Sequence, residues 1–350
     1  MIRGLAAIAA LLIAACGMSP SMGASTPVAT LSPPAVTIRD SPTAVPASAI
    51  PTESVSALPT ASATPDPFAA YFIATLRARS YPGGSITIVQ TLEKTTAFTR
   101  TLIAYPSDGL TITGMMNVPV GSGPFPVIIL NHGHFDPAEY TTGRGTQTAA
   151  DYFARHGYLT LAPDFRGYAG SDPGENYFRL GYAIDVMNLI ASVKSLPQAN
   201  ADSIGLWGHS MGGGVTIALL TLNPPGVRGA VLLAPMNADA AIDYYRIAYF
   251  RGQPTPGPEW PVPPPDAPDL YAHVSPINYL SNVSVPVLIH HGDADTTVPP
   301  EWSAQLQAAL TAAGKQATLY SYPGAGHSFY NSDWLLFMKR NAEFFDKLLK

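Results

Sequence analysis

The sequence predicts one α/β domain built on an open, mainly parallel sheet, and three observations predict it. Five apolar runs, at residues 126–130, 158–162, 203–207, 229–233 and 286–289, lack the alternation of a half-exposed strand. Such runs suit strands buried on both faces. Segments of helical character fall between and after them, at residues 146–156, 177–196, 211–222, 301–313 and 332–349. Strand alternating with helix at this spacing gives parallel order. Ahead of these lie three stretches rich in β-branched residues, 85–92, 97–105 and 110–118, the last two separated by the turn Ser107-Asp108-Gly109. They predict antiparallel strands joined to the parallel set. A chain of 350 residues suits one such catalytic domain, placed at 68–350.

Charge and cysteine content narrow the classes of function. The 19 Lys and Arg against 24 Asp and Glu leave a formal charge of -5. No basic run is present to follow a phosphate backbone, which argues against nucleic acid as a partner. Cys16 is the only cysteine, so the folded part holds no internal disulfide and no thiolate metal site.

The N-terminus carries an address. Met1-Ile2-Arg3 is a short positive region and residues 4–15 are an apolar run too short to span a bilayer. Ile13-Ala14-Ala15-Cys16 resembles the bacterial lipobox. That resemblance implies cleavage after residue 15 and acylation of Cys16, each buried methylene adding about 0.8 kcal/mol of membrane affinity. An ordinary signal peptide with a chance cysteine is the alternative. Residues 17–67 are dominated by Pro, Ser, Thr and Ala, with Arg39, Asp40, Glu53 and Asp66 their only charges and no aromatic residue. Segment 16–67 therefore reads as a disordered tether, and the whole as an exported lipoprotein of a bacterial cell envelope, anchored at a membrane surface.

Gly208-His209-Ser210-Met211-Gly212 matches G-x-S-x-G between a predicted strand and a predicted helix. A tight strand-to-helix turn exposes the serine hydroxyl, and small flanking residues admit the neighbouring backbone. Ser210 is the candidate nucleophile, with the Met211 backbone N–H at the start of the helix as one oxyanion donor. A serine hydroxyl needs a base, and the base a carboxylate to fix its tautomer. Asp295, in the loop after the run at 286–289, and His327, in the Gly-rich loop after the last strand, supply both. Asp293 is the rival carboxylate. His209 is expected to pack or bond locally, at least one of His290 and His291 to be a satisfied core residue, and His156 and His273 to be structural. Asn131-His132-Gly133-His134 follows another strand, which makes the His134 backbone N–H the second oxyanion donor, with Phe135 its neighbour in contention. A metal pair at His132 and His134 lacks a third ligand at suitable spacing.

From about residue 85 onward the chain resembles the α/β-hydrolase superfamily, and within it the prolyl oligopeptidase-like (S9) catalytic domain and the dienelactone hydrolase-like esterases. The resemblance is carried by Asn131-His-Gly-His134, Asp164-Phe-Arg-Gly-Tyr-Ala-Gly-Ser171, Gly208-His-Ser-Met-Gly-Gly213, Ser275-Pro-Ile-Asn278, the segment from His291 to Pro299, and Gly326-His327. It implies that Asp164 and Arg166 are scaffold residues. Two departures favour esters over peptides: no segment is long enough for a substrate-filtering propeller, and the loop reads His-Gly-His where Gly-Gly is frequent. The stretch 236–280, dense in Pro and aromatics, reads either as a cap over the site or as an insertion on the sheet edge.

The expected chemistry is hydrolysis of a small carboxylic ester through an acyl-enzyme, with no metal or organic cofactor. A peptidase acting on short peptides shares the same parts. A non-catalytic surface lipoprotein predicts a missing member among Ser210, Asp295 and His327, and none is missing. The sequence carries no statement of oligomeric state.

Overall fold

The computed structural model describes residues 66–350. The expected signal 1–15, Cys16 and all but the last two residues of the expected tether 16–67 lie outside the described residues. A short helix, α1 (Ile73–Ala78), precedes strands β1 (Thr87–Lys94), β2 (Phe98–Ser107), β3 (Leu110–Pro119) and β4 (Phe125–Asn131). Then follow α2 (Gln147–Arg155), β5 (Leu159–Pro163), α3 (Leu180–Ser192), β6 (Ala199–His209), α4 (Met211–Leu222) and β7 (Val227–Leu233). The chain continues through α5 (Ala240–Arg251), α6 (Pro268–Val274), β8 (Val287–Gly292), α7 (Pro300–Ala312), β9 (Ala317–Tyr322) and α8 (Asn331–Leu349).

The nine strands form one sheet in the order β1-β2-β3-β5-β4-β6-β7-β8-β9. Pairings from β1 to β5 through β2 and β3 are antiparallel, and all pairings from β5 onward across the sheet are parallel. This is the open, mainly parallel sheet that the strand and helix pattern predicts, and the α/β-hydrolase architecture that the resemblance implies. Its central strands are apolar on both faces because consecutive residues enter different cores. Val127 and Ile129 join one buried cluster with Leu189, Leu219 and Leu306, while Ile128 and Leu130 join another with Phe153, Phe337 and Phe345. Each such side chain contributes about 1.5–3 kcal/mol relative to an exposed one. Helices α3, α4 and α7 therefore cover one face, and α2 and α8 the other.

The order β5-β4-β6 places the site. From β4 the chain moves outward to β5, then crosses to β6 on the other side. The loops after β4 and β6 thus diverge at a topological switch point, where open α/β sheets bind ligands. Two segments depart from the sequence expectation, and a third gains detail. Helix α1 carries no motif that announces it. The helical pattern at 177–196 breaks into a 3₁₀ turn at Tyr177–Arg179, α3, and a second 3₁₀ turn at Val193–Ser195. Phe178 and Arg179 adopt left-handed conformations at the first break, with φ of 55° and 61°. Segment 236–280 contains α5 and α6. Asp239 caps α5 by accepting from the Ala241 N–H at 2.8 Å, and Gly252 ends the helix at φ 59°.

Candidate active site

Ser210 stands between β6 and α4 at φ 56° and ψ -118°, a conformation that costs a side chain about 1–3 kcal/mol. The surroundings impose it. A Cβ on Gly208 would lie 2.3 Å from the Gly212 carbonyl oxygen, and one on Gly212 would lie 2.1 Å from that of Asn131. The expected need for small residues beside the serine is met by backbone packed against both glycines. Ser210 N–H donates to Leu233 O at 2.9 Å, so β7 fixes the turn from outside.

Asp295 and His327 come together from the loops after β8 and β9. His327 Nδ1–H donates to Asp295 Oδ2 at 2.8 Å, which leaves the lone pair of the neutral ring on Nε2. Thr297 and Val298 N–H donate to Asp295 Oδ1 at 2.8 and 3.0 Å. A further donor was not visible in the sequence: His291 Nε2 lies 3.1 Å from Asp295 Oδ2 and 3.1 Å from Val298 O. Both neighbours are acceptors, so Nε2 carries the proton and Nδ1 accepts from the Ser303 hydroxyl at 2.6 Å. His291 thus belongs to the site and not merely to the core. Burial alone would push the Asp295 carboxyl up. The hydrogen bonds from His291, His327 and Val298 outweigh that penalty and hold it well below the usual carboxylate range.

The Gly-rich loop bearing His327 is pinned in place. His209 packs, as one of its two expected readings has it, with its ring centroid 4.8 Å from that of His327, and its Nε2–H donates to His327 O at 2.9 Å across 118 positions, so its bond is long-range and not local. Asp293, the rival to Asp295, accepts from Gly324 N–H at 2.6 Å and ties the two loops together. Ala294 N–H donates to Ala325 O at 3.0 Å. A Cβ on Gly292 would lie 2.1 Å from that same Ala325 oxygen, so this approach requires glycine.

Ser210 and His327 line one cavity of about 350 Å³, together with Met211, His134, Met236, Ile247, Phe250, Thr297 and the arginines Arg179 and Arg251. Met211 is the first residue of α4, where no intrahelical acceptor exists for its N–H. Gly133 packs on the serine: a Cβ there would lie 3.4 Å from Ser210 Cβ. The following residue, His134, reaches the cavity wall, with Nδ1 3.4 Å from the Tyr168 hydroxyl. Burial, then the charges of Arg179 and Arg251, lower the His134 pKa from its ordinary value. Phe135 faces a different cavity, beside His209 and Ser328.

The remaining residues divide between site and scaffold. His132 is buried against Tyr140, with ring centroids 4.5 Å apart, and its Nδ1–H donates to Gly133 O at 2.7 Å. Burial lowers its pKa to about 4. His290 bonds the Tyr322 hydroxyl at 2.9 Å, His156 the Tyr152 carbonyl at 2.7 Å, and His273 stacks on Phe72. Asp164 accepts from Thr113 and Thr142 at 2.7 Å and from Tyr140 at 3.0 Å. Arg166 grips the fully buried Asp185 through Nε at 3.1 Å and Nη2 at 2.8 Å. Of the aromatic residues in 236–280, Tyr244, Trp260 and Tyr271 pack inward, while Tyr245 and Tyr249 are exposed. Ile247, Phe250 and Arg251 of α5 reach the Ser210 cavity. No motif announces Arg179 or Arg251.

A serine on a strained strand-to-helix turn, with an aspartate-bound histidine on the same cavity, defines a serine hydrolase of the α/β-hydrolase class. Residues 145–350 match the model of the prolyl oligopeptidase family, and the chain belongs to that family. It is 28% identical over 223 residues to a Yersinia pestis protein named "Putative carboxymethylenebutenolidase", a match covering 61% of this chain and 71% of that one. Among solved structures it resembles an acetyl xylan esterase from Paenibacillus, with TM-score 0.58 and 19% identity over 79% of this chain and 92% of that one. It also resembles the Pyrococcus horikoshii acylaminoacyl peptidase, with TM-score 0.61 and 23% identity over 73% of this chain. The chain spans 43% of that peptidase's length. At these identities the structural likenesses establish the fold.

Proposed function

We propose that this hydrolase cleaves carboxylic esters through an acyl-enzyme. Ser210 Oγ attacks the ester carbonyl while His327 Nε2 takes its proton. The oxyanion of the tetrahedral intermediate accepts from the Met211 and His134 backbone N–H groups. Collapse of the intermediate breaks the carbon–oxygen bond, and His327 returns the proton to the departing alcohol. Water then repeats the sequence, releasing the acid and restoring Ser210. Asp295 orients His327 and stabilises its charged form. The observation that carries this reading is the 2.8 Å bond from His327 to Asp295, on a ring that shares its cavity with Ser210.

Family membership supports a second reading, hydrolysis of short peptides by the same residues. Paired assays on aryl esters and aminoacyl amides separate the two. Labelling with a fluorophosphonate tests both at once: the wild type is expected to react and Ser210→Ala to be inert, and equal labelling of the two would refute the nucleophile. For the N-terminus the proposal is a lipid anchor at Cys16, supported by the placement of the sole cysteine in the chain. Radiolabelled lipid should enter the wild type and not Cys16→Ala. Equal incorporation would overturn the anchor.

A further inference from the structure

We infer that a second cavity, beside His327, receives the alcohol part of the ester, and that it takes a neutral aromatic alcohol with a hydrogen-bond acceptor at its far end. This rests on the ester-hydrolase reading and names its leaving group. In that reaction His327 hands a proton to the departing oxygen, so the alcohol stands on the imidazole side of Ser210. The cavity there, of about 620 Å³, is lined by His209 and Ser328, the chain neighbours of Ser210 and His327. The His209 and His327 ring centroids are 4.8 Å apart. Trp207, Leu233 and Phe329 of its wall belong to the buried cluster under α2 and α8, whereas Met211, Met236 and Ile247 of the Ser210 cavity belong to the other cluster. The two cavities thus flank Ser210 and His327, one over each face of the sheet, with room for an acyl group on one side and an alcohol on the other.

The wall specifies the occupant. Phe135, Trp207, Phe329, Tyr330 and Trp334 supply aromatic surface, against which another ring packs edge-on or offset. No Asp or Glu lines the cavity. Its one fixed charge, Arg144, is already engaged: the guanidinium lies 4.7 Å from the Phe135 ring centroid and donates to Glu139 O at 2.8 Å. His209 stays neutral at physiological pH, lowered to about 4 chiefly by burial. The inner wall offers one unpaired donor. Trp207 is 2% exposed, and its Nε1–H is buried without an acceptor among the described residues. Trp207 and His209 are two apart on β6, so both side chains leave the same face of the sheet, toward this cavity. A buried donor left unpaired is costly, and a ligand oxygen that accepts from it removes the cost. A sugar ring, with hydroxyls on every side, would leave most of them unpaired against these aromatic walls. A flat ring with one acceptor at its tip matches them.

The test varies only the alcohol, in the full-length protein, with acetate as the constant acyl group. Benzyl esters keep the leaving oxygen one methylene away from the ring, so a ring substituent alters binding more than reactivity. 4-Acetylbenzyl acetate should exceed 4-ethylbenzyl acetate in kcat/KM by about three- to tenfold, the worth of one hydrogen bond. Both should exceed ethyl acetate and methyl 6-O-acetylglucopyranoside by about tenfold or more. Trp207→Phe keeps a ring and loses the N–H, and should bring the first ratio near one. Trp334→Ala, at the rim, should lower both benzyl esters toward ethyl acetate, a pattern that a general loss of folded enzyme does not mimic. Cleavage through Ser210 with no preference for the benzyl esters, a preference for the sugar acetate, or a first ratio untouched in Trp207→Phe overturns the inference and leaves the ester reading standing. If none of the four acetates is hydrolysed through Ser210, both fall.

Discussion

His291 and His327 donate to the same oxygen of Asp295, at 3.1 and 2.8 Å. They approach from different loops, one ending β8 and one following β9. The second imidazole is held by Ser303 on α7, and its tautomer is fixed by two acceptors at Nε2. One carboxylate thus stands between a histidine free to exchange protons with substrate and a histidine with no such freedom.

His291 is therefore expected to act as a positioning residue. Removing it in His291→Ala leaves Asp295 Oδ2 with His327 alone and lets the carboxylate rotate about its remaining backbone bonds. Misplacement of this order lowers kcat by about 10- to 100-fold, with KM little changed. Asp295→Asn, which loses the carboxylate and its tautomer control, should cost about 10⁴-fold. Ser303→Ala should lie nearest the wild type. Steady-state kinetics on an aryl ester check the order, and an unchanged kcat in His291→Ala would remove His291 from the site.

The elements of this site differed in how far they could be read ahead of the structure. Ser210 was legible because its chemistry and its turn are both local: five consecutive residues carry the glycines, the strand end and the helix start. Asp295 and His327 were legible by position, since one follows the buried strand β8 and the other follows β9, the edge strand that ends the sheet. The second role of His291 was not, because a histidine ending a buried strand has the same local pattern whether it meets a carboxylate or a leucine. Its spacing of four from Asp295 was the available signal. The bond of His209 was hidden in the same way, its partner lying in a loop 118 positions away. Arg179 was hidden for another reason: periodicity at 177–196 reads as one helix, and the left-handed break that turns Arg179 toward the cavity comes from packing on Trp260 and Tyr271.

Arg246 of α5 binds the loop that carries Asp295. Its Nη2 donates to Thr296 O at 3.0 Å and Thr297 O at 2.6 Å, and its Nε to Thr297 O at 3.1 Å. The N–H groups of Thr297 and Val298 are in turn the donors to Asp295 Oδ1. Arg246→Ala should raise amide exchange at 296–298 and lower kcat by up to about tenfold, consistent with loss of positioning at one remove. Exchange rates equal to the wild type in that loop would show that the arginine does not restrain it.

Asp185 faces Arg166 where neither is solvated. Its Oδ1 also accepts from Ser107 at 2.8 Å, and Oδ2 from the Arg166 backbone N–H at 3.0 Å. Asp185→Ala leaves a buried guanidinium uncompensated and should destabilise the fold by about 3–5 kcal/mol. Urea denaturation measures it. A loss below about 1 kcal/mol would mean that water reaches the arginine in the variant.

Stability should rise with pH between about 4 and 6.5, and the sign follows from imidazoles set against carboxyls that burial shifts the opposite way. His132 and His209 are lowered to about 4 and His290 to about 3, in each case chiefly by burial. In that window the unfolded chain protonates these rings at an ordinary pKa near 6.5 while the native state keeps them neutral. The unfolded state then binds more protons, and stability falls as acid is added. Asp243 opposes this. Its carboxyl, raised to about 7, stays protonated in the native state while the unfolded chain releases the proton above the ordinary 3.8. It therefore removes stability as pH rises through the same range. His134, also lowered by burial, adds to the imidazoles, and Asp164, raised by burial, adds to Asp243. Four imidazoles against two carboxyls leave a net gain toward neutrality, since a tenfold difference in proton affinity between native and unfolded chain is worth about 1.4 kcal/mol at most. Asp243→Asn removes one opposing group and should steepen the climb. Chemical denaturation of the wild type and Asp243→Asn across pH 4 to 7 reads both slopes. A wild-type stability that is flat or falls toward neutrality would mean that these imidazoles gain protons without unfolding the chain.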